Sequence, residues 1–196
     1  MTSSEEKDLA NRLREAIAKS RGYADFFEWR PNRDLEEQGV VMALSESLEK
    51  DDMTPYTGII SRGRNNDPPD CEAQNELGLR TAVEVTELVY GKAIESLKSG
   101  GEYFWTEWTK DSFLDSIFKL ITRKDSRFVS LKGAPYPGGY DLIIYTDEPE
   151  LNFLTVSRFL ENATLPITEN LSNIFLLLSY EPEYEKCPYI QIAAGR

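Results

Sequence analysis

Apolar residues recur along the chain at two spacings, and the switches between them mark the expected elements. Leu9, Leu13 and Ile17 fall on one face of a helix over residues 5–19 that ends near Gly22. Val40, Val41, Leu44 and Leu48 repeat that pattern over residues 34–50, with the Asp34 carboxylate placed to cap the first turn. Residues 56–61 then predict a short strand, and residues 70–75 and 79–88 predict the two strands of a hairpin. Residues 91–98 read as a short helix closed by Gly100-Gly101. The strongest helical pattern spans 109–127, with Phe113, Leu114, Ile117, Phe118 and Ile121 on one side. A loop containing Pro135, Pro137, Gly138 and Gly139 precedes a strand over 140–146, a helix over 149–162, and strands near 174–180 and 188–193. This order predicts an α/β or α+β fold, a mixed central sheet with helices on both faces, within one domain of 196 residues.

One segment of the hairpin breaks the pattern. Glu84 interrupts the apolar run Ala82-Val83-Glu84-Val85, and Asp70 opens the preceding strand. A three-residue turn, Glu76-Leu77-Gly78, suits Gly78 because its last position needs a left-handed backbone. That turn faces Asn75 with Leu79 and, counting outward, Asp70 with Glu84. The two acids then share one face with Cβ atoms ~5 Å apart, which is unfavourable unless a cation sits between them. A two-residue turn would send them to opposite faces. Hard, oxygen-seeking Mg²⁺ or Mn²⁺ is the natural cation for paired carboxylates.

Composition narrows the chemistry. The chain contains no histidine, which removes histidine bases, Ser-His-Asp and Cys-His pairs and histidine-ligated zinc. Cys71 and Cys187 stand far apart without metal-ligand spacing and read as two reduced thiols. No apolar run is long enough to span a bilayer and the first residues lack a signal-peptide pattern, so the expected setting is cytoplasmic, with no membrane partner. A net charge of −12 argues against non-specific coating of nucleic acid. Within this acidic chain, Lys119, Arg123, Lys124, Arg127 and Lys132 form one basic cluster, read either as a solvated helix face or as a local phosphate contact. Tyr103, Phe104, Trp105 and Trp108 read as core or loop packing, with base stacking as the alternative.

Pro69-Asp70, then thirteen residues, then Glu84-Val85-Thr86, resembles the signature of the PD-(D/E)XK nuclease-like superfamily, in a bacterial branch. The likeness extends in element order over about residues 35–147 and implies a restriction-endonuclease-like core there. It implies that Asp70 and Glu84, with the carbonyl of Val85, hold Mg²⁺ or Mn²⁺ for hydrolysis of phosphodiester bonds in DNA or RNA. Thr86 stands where the family carries its lysine; some relatives place that lysine on the following helix, which here nominates Lys92 as the catalytic cation. An additional glutamate from an N-terminal helix is common in the family, and Glu37 and Glu46 are both open for it. The missing motif lysine and the acidic charge leave a second reading: the same fold with a degenerate site, acting as an immunity-type or regulatory protein-binding module.

Overall fold

The computed structural model describes residues 33–91 and 107–193. The helix expected over 5–19, nearly all of the one over 91–98, the aromatics Tyr103, Phe104 and Trp105, and Lys92 lie outside these residues.

A six-stranded mixed sheet forms the centre, in the order β1 (Thr57–Ser61), β2 (Cys71–Gln74), β3 (Arg80–Glu87), β4 (Tyr140–Thr146), β5 (Asn173–Leu178) and β6 (Tyr189–Ala193). β2 runs antiparallel to both β1 and β3, β3, β4 and β5 run parallel, and β6 returns antiparallel. Three α-helices accompany it among the described residues: α1 (Arg33–Lys50), α2 (Lys110–Asp125) and α3 (Phe153–Leu160). This is the mixed α/β architecture expected from the hydrophobic pattern.

Each face of the sheet carries its own core because alternate residues of a strand point oppositely. Val83, Val85, Ile143, Tyr145, Phe175 and Leu177 pack with Val40, Val41, Leu44 and Leu48 of α1. Ala82, Leu142, Ile144, Ile174, Leu176 and Leu178 pack with Phe113, Ile117 and Ile121 of α2 and Val156 of α3. β4 is buried at every position, as a parallel strand covered on both faces requires. Trp108 belongs to this second core, donating its indole N–H to Glu148 at 3.0 Å.

Two helices are shorter than their patterns. Thr109 and Ser112 close a capping box at the start of α2, and after Asp125 the chain tightens into a 3₁₀ turn over Ser126–Ser130. The Asp125 carboxylate is engaged there by the backbone N–H groups of Asn170 at 3.0 Å and Leu171 at 2.9 Å. α3 starts only at Phe153 because the Asn152 side chain caps it, accepting from the Thr155 N–H at 2.9 Å.

The hairpin turns as its three-residue loop requires. Asn75 N–H donates to Leu79 O at 3.0 Å, Gly78 has φ +69°, and the ladder pairs Cys71 with Val83 and Gln74 with Arg80. Beyond it, Gly138 presses against the start of β3, donating its N–H to Arg80 O at 2.9 Å. A Cβ at Gly138 would lie 2.6 Å from the Leu79 carbonyl oxygen and against the Thr81 hydroxyl. Gly138→Ala should therefore lower stability by about 1–3 kcal/mol, the usual size of an overpacking penalty. Urea denaturation of the two proteins measures it, and equal midpoints would show that the loop yields freely.

Candidate functional site

The β2–β3 ladder ends at the pair Cys71 and Val83, and just beyond it Asp70 and Glu84 each present a carboxylate oxygen within 4.8 Å of the other. The end of the ladder shapes the site. Even-numbered residues of β3 direct their backbone groups toward β4, as in Ala82 N–H to Gly139 O at 3.0 Å and Leu88 N–H to Tyr145 O at 2.8 Å. The odd-numbered residues face β2, and Val85 lies past the last pair, where the chain before Asp70 runs through Pro68-Pro69, residues with no N–H to give. The ladder ends, and side chains take over the backbone groups of Val85. Its N–H donates to Asp70 Oδ2 at 2.8 Å, and its carbonyl accepts from the Lys124 ammonium at 3.0 Å.

Lys124 comes from the last turn of α2 and is only 5% exposed. Its Nζ lies 3.1 Å from Glu84 Oε1 and 3.5 Å from Asp70 Oδ2, so one ammonium touches both carboxylates and the Val85 carbonyl. Tyr140 holds this end of the helix by donating its hydroxyl to Lys124 O at 3.0 Å. Arg127, one turn on, spans Glu84 Oε1 at 2.6 Å and Asp67 Oδ1 at 2.5 Å. Asp67, Asp70 and Glu84 each present an oxygen within 4.8 Å of the others.

Glu84 is fully buried, and burial, followed by repulsion from Asp70, pushes its carboxyl up to about 7 against the opposing pull of Lys124 and Arg127. Its Oε1 takes both cations, while Oε2 is buried with no hydrogen-bond donor among the described residues. An orphaned carboxylate oxygen beside two further carboxylates and a backbone carbonyl is a donor set of hard oxygens, which fits magnesium or manganese.

Of the two helix glutamates, Glu37 is the one beside these acids. It borders, with Arg33, two adjoining clefts of about 530 Å³ and about 400 Å³, the first reaching Val85, Thr86 and Lys124 and the second reaching Asp67 and Asp70. Burial and then the Asp70 charge raise its carboxyl, and Arg33 donates to it at 2.6 Å. Glu46 is exposed further along α1.

The basic cluster divides. Lys119, Arg123 and Lys132 point outward, and Arg123 reaches the Thr86 hydroxyl at 3.4 Å on the rim of the larger cleft. Lys124 and Arg127 instead turn inward onto the acids. Among the described residues, Lys124 is the cation that meets both Asp70 and Glu84; Lys92, which the sequence nominated, lies outside them. The signal was present in the helix period: Phe113, Ile117 and Ile121 define the buried stripe of α2, and Lys124 is its next position. Comparisons with protein-family models, with curated proteins and with solved structures returned no match for this chain.

The raised carboxyl has a measurable consequence. Unfolded, Glu84 loses its proton near 4.5, whereas folded it keeps it to about 7, so the folded chain binds more protons across that window and stability falls as pH rises through it. Buried Asp141, raised mainly by desolvation to about 6, adds to the slope lower in the same range. Glu84→Gln should reduce the decline across about pH 4.5 to 7, leaving below pH 6 the part that Asp141 contributes. Urea denaturation at stepped pH reads this, and an unchanged slope would place the titration elsewhere.

Proposed function

We propose that the protein is a metal-dependent phosphodiesterase of restriction-endonuclease-like construction, acting on nucleic acid. The observation that supports this reading best is the convergence of Asp70, Glu84, the Val85 carbonyl and the Lys124 ammonium at the point where the hairpin ladder stops. Asp70 and Glu84, with the Val85 carbonyl, would hold magnesium or manganese, which supplies a Lewis acid for the phosphodiester and lowers the pKa of an attacking water. Lys124 supplies the positive charge that Thr86 cannot, and it comes from α2 rather than from the strand. Arg127 fixes the Glu84 carboxylate in one orientation through Oε1 and leaves Oε2 toward the ion position. Arg33 and Arg123, at the rim of the larger cleft, are placed to receive the phosphates flanking the scissile bond, and Lys119 and Lys132 are further exposed cations of the same basic segment. Glu37 stands beside the acids and orders Arg33.

A second reading has its own support. Lys124 and Arg127 already neutralise most of the carboxylate charge, and the chain as a whole carries −12. Those features suit a degenerate site serving a protein-binding module. Incubation of labelled single- and double-stranded DNA and RNA with Mg²⁺ or Mn²⁺ separates the two. The phosphodiesterase reading expects divalent-dependent cleavage of at least one substrate that Asp70→Asn abolishes. Intact substrates under every ion would favour the binding module.

Substrate binding provides a second prediction. Replacing Lys119, Arg123 and Lys132 together with alanine should weaken binding of a short oligonucleotide at low salt. It should also reduce the salt dependence by up to about three phosphate contacts' worth, since each neutralised phosphate releases counterions. Fluorescence anisotropy across a salt series measures both, and unaltered affinity would assign these side chains to solvent alone.

A further inference from the structure

Lys124 does more than stand near the acids. Its ammonium contacts Glu84 Oε1 at 3.1 Å, Asp70 Oδ2 at 3.5 Å and Val85 O at 3.0 Å, the same three groups that would hold a divalent cation. Two cations cannot both sit against the same two carboxylates and one carbonyl at such distances without strong repulsion. With Arg127 on Glu84 and Asp67, three carboxylates are already opposed by two cations, leaving little net charge to attract a third. Glu84 Oε2, buried and without a donor, marks the side from which an incoming ion would find a vacant lone pair. Lys124 also borders the larger cleft, beside Arg33, Thr86 and Arg123, so a path leads outward for its flexible stem.

We propose that Lys124 is an internal counter-ion that holds the site closed to metal, and that it must withdraw into the cleft before a divalent cation binds. This rests on the phosphodiesterase reading and adds an order to it. In the cleft, the withdrawn ammonium meets the substrate phosphate, so phosphate and metal favour each other. Free protein then binds metal weakly, and the site assembles fully only with substrate in place.

The test is calorimetric titration of Mn²⁺ into wild type and Lys124→Met, which keeps the length of the stem and removes the charge. Lys124→Met should bind Mn²⁺ tighter by about tenfold or more, the size of one close charge interaction at a partly solvated site. Its melting temperature should be lower than wild type without metal and recover when Mn²⁺ is added. Equal or weaker Mn²⁺ binding by Lys124→Met overturns the proposal and leaves the metal site standing. No binding to either protein at millimolar Mn²⁺ overturns both this proposal and the metal-dependent reading. Should the variant fail to fold, wild type answers alone through acetic anhydride labelling and peptide mass mapping. Lys124 should be protected without Mn²⁺ and become reactive in saturating Mn²⁺ alone, with no oligonucleotide to cover the withdrawn ammonium. Protection that persists in saturating Mn²⁺ overturns the proposal.

Discussion

An ammonium buried among two carboxylates and a backbone carbonyl governs the organisation of this molecule around β3. Glu84 sits in an otherwise apolar strand with no access to water, and its desolvation is tolerable only because Lys124 and Arg127 meet the same oxygen. Removing one partner from such a buried group typically costs about 3–5 kcal/mol, since the remaining charge is stranded. The end of α2, the 3₁₀ turn that follows it and the arrest of the hairpin at Pro69 all serve to deliver those two cations. The hydroxyl of Tyr140 and the stacking of its ring with Phe128, centroids 5.9 Å apart, hold the helix terminus against the sheet.

The arrest of the ladder links sequence to site most directly. β2 has four residues and β3 has eight, so half of β3 faces β2's side without a strand partner. In a plain sheet that would expose a sticky edge. Here side chains, rather than a neighbouring strand, meet the backbone of the unpaired stretch at Val85. Asp70 takes the N–H and Lys124 takes the carbonyl. A backbone carbonyl freed in this way is available to a cation in a way that a ladder carbonyl is not.

Much of this was legible in the amino-acid pattern. Short apolar runs bounded by turn residues located the six described strands, and the parity of the Glu76-Leu77-Gly78 turn put Asp70 and Glu84 on one face. What local pattern could not supply was the identity of the cation. Lys124 and Arg127 lie about 40 residues from Glu84 in sequence, and their partners are fixed by how α2 crosses the sheet, which no local spacing encodes. Counted by charge alone they joined Lys119, Arg123 and Lys132 as one basic patch. Counted by helical phase, Lys124 falls on the buried stripe with Phe113, Ile117 and Ile121. A lysine in phase with a core stripe has to find a buried acid, and Glu84, buried in the apolar run of β3, is one. The choice of Glu37 over Glu46 was likewise tertiary, because both stand on the same helix and only Glu37 lies where α1 passes the end of the hairpin.

The overall charge and the local charge of the site now have a common explanation. A chain at −12 repels extended polyanions over most of its surface, so on the proposed reading contact with nucleic acid would be confined to the cleft margin where Arg33 and Arg123 stand. Few phosphates would then be held at once, which favours short encounters over sliding. Inside the margin, Lys124 and Arg127 shield the carboxylates, and in the proposed order a substrate phosphate would draw the lysine away. An acidic surface, a narrow basic rim and a cation-capped acidic centre would on that reading form one arrangement, which discourages stray metal and stray phosphate and admits each most readily in the company of the other.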